Sequence, residues 1–334
     1  MGDELNVELA RCTESTLSGK VSFNTSKSGP GAKLLVIGSV IAMSRSGDAV
    51  LGAGTIGQKA PSGGIADCGN PRVITALQRG EIFVGSLRGR LSAECLGVKP
   101  LRGLYGDPGL YTVVLCPRWQ ELARTRTAQT EKESTKQVCL LKHFQDTALT
   151  AAYAHISKDT GSTLTDQVRV LTARTEAYKL FQTVVQHCRI IVTTSLHGMI
   201  ISDSLDIQSF SYGGVYRSHK WQDYFSGIDY NASSADDIAN PMELLQYVNR
   251  SMAVKSHRRV TKAHVHQKAY LWLAEVQKAV EWLERGSSSK RDSHSHSARR
   301  RLAAHLQGQP RQAVRGGPHV LAADRGLYAG GAVS

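Results

Sequence analysis

Short apolar runs that end in small residues recur along the chain. Lys33-Leu34-Leu35-Val36-Ile37-Gly38-Ser39 is the first, Ala49-Val50-Leu51-Gly52-Ala53-Gly54-Thr55 the second, and Glu81-Ile82-Phe83-Val84-Gly85-Ser86 the third. Runs of this length without alternation predict buried parallel strands, with a loop at each carboxyl end. Leu87 to Leu96 reads as the start of a helix, and Tyr105-Gly106-Asp107-Pro108 as a turn. The segment 118–135 is polar and rich in Thr, Glu and Arg, so it reads as a linker.

A second series follows. Gln137 to His143 is a predicted strand ending on a histidine, and Val168 to Thr172 a shorter one. Between Thr175 and His187, Ala177, Leu180, Phe181, Val184 and Val185 recur with the spacing of one helix face. Arg189 to Ser195 is a strand, Leu196-His197-Gly198 turns into a helix running to about Ser204, and Gln208 to Tyr212 is the next strand. A long helix with apolar and basic faces is expected over about 255–284. Strands alternating with helices imply parallel sheets covered on both faces. The expected fold is therefore α/β, with two Rossmann-like, doubly wound domains. Residues 1–117 form the first domain, 118–136 a linker and 137–284 the second. Ligands of such sheets bind outside the carboxyl ends of the strands.

Composition adds little to this until the C-terminus. The chain has 334 residues, 41% hydrophobic and 21% charged, as in ordinary folded proteins. No apolar run approaches the roughly 20 residues of a membrane span, and no signal peptide is visible at Met1. The cytosol is the expected compartment, and a truncated N-terminus would leave that open. The formal charge is +13, but residues 285–334 hold nine Arg/Lys against two Asp, or +7 of it. That stretch is also poor in aliphatic residues and reads as a disordered basic tail. Arg299-Arg300-Arg301 is either a nucleic-acid patch or part of a solvated tail. The six cysteines, at 12, 68, 95, 116, 139 and 188, have no zinc-ligand spacing. They are expected to be buried thiols in a reducing compartment. No dinucleotide fingerprint or Walker loop is present.

The chemistry-bearing candidates fall at predicted strand ends. His197, flanked by Ser195 and Gly198, is placed to serve as a general acid or to be a capping histidine. Arg88 is suited to fork onto a carboxylate or phosphate, or to be an exposed helix-start residue. Gly52 and Gly54 allow close backbone approach to a ligand. His143 ends a strand and faces either cleft or core. Lys220 either neutralises an anion or lies in a solvated loop. His294 and His296 in the tail, and His264 and His266 on different helix faces, are not expected to bind metal.

Gly2-Asp3-Glu4-Leu5-Asn6, Ile37-Gly38-Ser39-Val40, Gly52-Ala53-Gly54, Ser86 to Ser92, Gly106-Asp107-Pro108, Lys142-His143-Phe144, Ser195 to Asp203 and Lys220-Trp221-Gln222-Asp223-Tyr224 occur in one order over residues 1–230. In that order the chain resembles the polysaccharide pyruvyl transferase family, closest to its ExoV-like branch. The resemblance implies a GT-B-like pair of domains. It implies transfer of pyruvate from phosphoenolpyruvate to a saccharide as a ketal, with release of phosphate and no cofactor or metal. His197 would be the acid and Arg88 would hold the donor. Gly2, Asp3, Gly52, Gly54, His143, Ser195 and Lys220 would contact donor or acceptor. Many members carry Arg where this chain has Ser195, so Arg189, Arg217 or Lys220 would supply that cation here. Arg90 stands in place of the family's usual Pro. The alternatives are a GT-B glycosyltransferase using a nucleotide sugar, and a non-catalytic basic protein that binds nucleic acid through its tail.

Overall fold

The computed structural model describes residues 2–16, 33–36, 41–55, 57, 68, 70–100, 102–128, 137–143, 146–160, 166–172, 176–249 and 259–288. Two parallel sheets form from the two predicted series. The chain opens with α1 (Gly2–Thr16) and continues into β1 (Leu34–Leu35), β2 (Ala49–Leu51), α2 (Pro71–Gln78), β3 (Phe83–Ser86) and α3 (Arg90–Leu96). The first sheet has the order β1-β2-β3. Pro71 sits at the start of α2, where its missing N–H costs nothing. Asn70 Oδ1 there accepts from Arg72 N at 2.9 Å. A 3-10 turn at Pro108–Tyr111, α4 (Thr112–Leu115) and α5 (Pro117–Ala128) lead to the second half.

There β4 (Gln137–Lys142), α6 (Ala148–Thr160), β5 (Val168–Thr172), α7 (Ala177–His187), β6 (Cys188–Thr193), α8 (Leu196–Ser204), β7 (Gln208–Tyr212), α9 (His219–Gly227), β8 (Asp237–Ile238), α10 (Pro241–Val248) and α11 (Lys262–Ser288) follow. The second sheet runs β5-β4-β6-β7-β8, all parallel. The middles of its central strands, Val138–Leu141 and Ile190–Val192, are apolar and buried because both faces are covered. Val138 and Leu140 pack with Leu149, Ile156 and Val248, whereas Cys139 and Leu141 join the cluster of Phe181, Val184 and Ile200. Full burial of a side chain such as Phe181 contributes about 1.5–3 kcal/mol.

Three expectations change. Residues 118–128, read as linker, lie in α5, while 129–136 lie outside the described residues. The helix is polar overall, but Trp119, Leu122 and Arg126 recur on one buried face. Trp119 meets Tyr178 edge-on and lies against Phe181. The Gly-Asp segment starts α1, which is held by Leu5, Leu9 and Cys12 at helical spacing. The long C-terminal helix, expected with the second domain, rests on the first sheet. Trp272 Nε1 donates to Leu51 O at 3.2 Å, and Trp282 lies against Phe83.

The third change concerns the cysteines, which are not thiols. Cys12 pairs with Cys116, Cys68 with Cys95, and Cys139 with Cys188. Their Cα separations of 5.1, 5.3 and 5.6 Å suit disulfides. Sequence separations of 104, 27 and 49 residues hid the pairing. The strand expected through Ser39 is described only at Leu34–Leu35. The segments Ile37-Gly38-Ser39-Val40 and 289–334, with the predicted tail, lie outside the described residues. No helix among the described residues is long and apolar enough to cross a membrane.

Candidate functional site

In the second sheet the chain lays down β4 first, β5 on one side of it and β6 on the other, so the order reverses between β4 and β6. The crevice at such a switch point is where open parallel sheets bind ligands. The carboxyl end of β4 carries His143, and that of β6 carries Thr194, Ser195 and His197. The two ends are tied together. His143 N donates to Thr194 Oγ1 at 3.2 Å, Thr194 Oγ1 donates to Asp146 Oδ2 at 2.6 Å, and Thr193 Oγ1 donates to Leu141 O at 2.7 Å.

Ser195 caps α8. Its Oγ accepts from Gly198 N at 3.4 Å, and the side chain is buried. The residue expected to contact a ligand thus also starts the helix. Gly198 is required for packing, since a Cβ there would lie 2.7 Å from Leu141 Cδ2.

α9 brings the first sheet to this crevice. Its Asp223 accepts from Arg88 Nε at 2.9 Å, from Ser92 N at 2.7 Å and from Ser92 Oγ at 2.6 Å. Arg88 Nη2 donates to Thr55 O at 2.6 Å, and Thr55 N donates to Ser92 Oγ at 2.9 Å. Arg88 is 1% exposed and forms a buried ion pair with Asp223 through its Nε. Two glycines make that pair possible. A Cβ on Gly54 would lie 2.5 Å from Arg88 Cζ, and one on Gly89 1.7 Å from Asp223 O. Gly52, at φ +98°, leaves room for Pro108, whose Cδ would be 2.3 Å from a Cβ there. Gly52 and Gly54 are thus also required for packing within the protein. Gly2 and Asp3 open α1, and their side chains lie outside the described residues.

Charge gathers around His197. Burial pushes its imidazole down to about 3, and the nearby charges of Arg88, Lys220 and His143 push the same way. Burial also lowers His143, with Lys220 adding to the effect and Asp146 opposing it. Lys220 is lowered by burial and by Arg88. His197 and Arg88, assigned to separate halves of the sequence, therefore share one electrostatic environment.

Of the three cations considered as substitutes at the Ser195 position, Lys220 is the one that acts on His197. Arg189 donates to the Tyr247 carbonyl, and Arg217 Nε donates to Tyr216 Oη at 3.1 Å.

Asp223, Ser92, Thr55 and His219 were given no role from the sequence. Thr55 Oγ1 lies 2.7 Å from His219 Nε2, and burial lowers the imidazole of His219, with Arg88 adding to that and Asp223 opposing it. Asp223 adjoins Lys220 in sequence, which is the one local signal that pointed to it. Beneath the site Asp107 Oδ2, Tyr111 Oη and Ser86 Oγ are buried without a hydrogen-bond partner among the described residues. Burial raises Asp107 to about 6, against the opposing pull of the Gly109 N–H and Arg88.

Glu8, Cys12 and Cys116 are the one group among the described residues with ligand atoms close enough for a metal. The two sulfurs form a disulfide and Glu8 pairs with Arg118, so the group does not suit an ion. Compared with protein family descriptions, with curated proteins and with solved structures, the chain matches none.

Proposed function

We propose that this chain is a pyruvyl transferase of GT-B-like build, moving pyruvate from phosphoenolpyruvate onto two hydroxyls of a saccharide. The observation that carries the reading is the cationic surround of a neutral His197: Arg88 and Lys220 act on it together. A small donor bearing a carboxylate and a phosphate complements that field. It also meets the N-terminus of α8, whose dipole favours anions. Bound anionic charge offsets the neighbouring cations and raises the imidazole towards neutrality. His197 then holds a proton only when the donor is present.

The imidazolium gives that proton to the methylene carbon of the donor, and the adjacent carbon becomes cationic. One saccharide oxygen bonds to that carbon, and its proton returns to the imidazole of His197. The second hydroxyl oxygen then displaces phosphate: its bond to the carbon forms as the carbon–oxygen bond to phosphate breaks, and its proton leaves with the phosphate, giving the ketal and hydrogen phosphate. Arg88, held by Asp223, supplies field rather than direct contact, and Lys220 is the cation available to the donor.

The test is phosphate release from phosphoenolpyruvate across a panel of saccharides. His197→Ala is expected to lower release by about 10²–10⁴-fold, the usual contribution of a general acid. Near-native release from a folded His197→Ala variant overturns the assignment. Nucleotide-sugar binding with no response to phosphoenolpyruvate selects the glycosyltransferase reading instead.

A further inference from the structure

All six cysteines are paired. Six sulfurs from separate places in the sequence meet two by two without remainder. Burial alone does not require this, because a thiol is a satisfactory small apolar group. Disulfides form and persist in oxidising compartments and are rare in the cytosol.

The asparagines supply an independent observation. Three of the chain's six head an Asn-X-Ser/Thr triplet with no proline at X: Asn24-Thr25-Ser26, Asn231-Ala232-Ser233 and Asn249-Arg250-Ser251. This triplet is the acceptor for N-linked glycans on surfaces of secreted proteins. Asn24 lies outside the described residues. Asn231 is exposed in the loop after α9, and Asn249 is exposed at the C-terminal cap of α10. Asn70 and Asn240 precede prolines and cap α2 and α10, accepting from Arg72 N and Glu243 N. Asn70 and Asn240, which could not be glycosylated, thus serve the fold, and the two described triplet asparagines stand at the surface.

We propose that the chain matures in an oxidising secretory lumen, where Asn231 and Asn249 receive N-linked glycans. Each disulfide forms as two thiols give two electrons and two protons to the disulfide of a thiol oxidoreductase, which is reduced to a dithiol. Each glycan arrives from a lipid-diphosphate-linked oligosaccharide. The Asn Nδ2 bonds to the anomeric carbon, that carbon's bond to phosphate oxygen breaks, and the amide proton passes to a base as lipid diphosphate leaves. The proposal is independent of the reaction assigned to His197.

The full chain recovered from the cells that make it provides the test. Peptide N-glycosidase is expected to increase its mobility and to leave aspartate at positions 231 and 249. Alkylation under denaturing conditions is expected to label none of the six cysteines before reduction and all six after it. N231Q and N249Q are each expected to remove one mobility step. Unmodified Asn231 and Asn249 in the recovered protein overturn the proposal, as do six thiols that alkylate without reductant.

Discussion

Arg88 Nε donates to Asp223 Oδ2 at 2.9 Å across 135 residues of sequence, with both side chains sealed from solvent. The pair joins the end of β3 to α9 and so holds the first sheet against the crevice of the second. Ser92 satisfies the rest of the carboxylate, which keeps the buried charge compensated.

Removing one partner leaves an uncompensated buried charge. Asp223→Ala is expected to lower stability by about 3–5 kcal/mol. Chemical denaturation of the variant against the native chain measures this. A loss below 1 kcal/mol would show that the pair does not hold the two sheets.

The backbones meet at glycines where no side chain fits. A Cβ on Gly227 would lie 2.0 Å from Arg88 O, and one on Gly89 1.7 Å from Asp223 O. Alanine at either position is expected to abolish soluble folded protein. Gly80, at φ +69° with nothing within 4 Å of its would-be Cβ, is the control. Gly80→Ala is expected to cost about 1 kcal/mol, the conformational term alone. Yields and melting curves of the three variants separate contact from conformation.

The depressed imidazole of His197 makes stability depend on pH. The unfolded histidine takes a proton near 6.5 and the folded one near 3. Between these values the unfolded state binds more protons, so this group makes stability fall as pH drops from 6.5 towards 3. His197→Gln is expected to flatten that part of the profile. By NMR the native His197 is expected to stay neutral from pH 8 to 5 and to become protonated within that range when phosphoenolpyruvate is added. An ordinary titration near 6.5 without ligand would contradict the buried cationic environment.

Asp107 has the opposite sign. Its folded carboxyl titrates near 6 and the unfolded one near 3.8, so burying it as a carboxylate costs most above pH 6 and nothing below about 4. Asp107→Asn is expected to stabilise the protein by about 1–3 kcal/mol at pH 8 and by little at pH 4. Equal effects at both pH values would show that the side chain carries no charge penalty.

The Cys12–Cys116 disulfide closes 104 residues and ties α1 to the turn before α5. Replacing both with serine is expected to lower stability by about 2–5 kcal/mol, more than loss of Cys68–Cys95, which closes 27 residues. Thermal melts of the two double variants establish the order.

Much of the second sheet was legible. Val168 to Thr172 and Gln208 to Tyr212 are strands with the predicted ends. His143 and His197 lie at strand ends, as their position after apolar runs implied. α5 was hidden because its polar residues mask three inward positions, Trp119, Leu122 and Arg126. The capping role of Ser195 was not legible because its hydrogen bond to Gly198 requires the helix that it starts.

The sequence by itself determined the alternation of parallel strands and helices and the strand ends beside which His143, Arg88 and His197 stand. Burial and repeat spacing are local properties, written within each run of residues. Only the tertiary structure decided that Arg88 faces Asp223 rather than solvent, that six cysteines pair, and that α11 returns to the first sheet. Those relationships join residues 27 to 221 positions apart. They depend on the path of the whole chain, which no local pattern encodes.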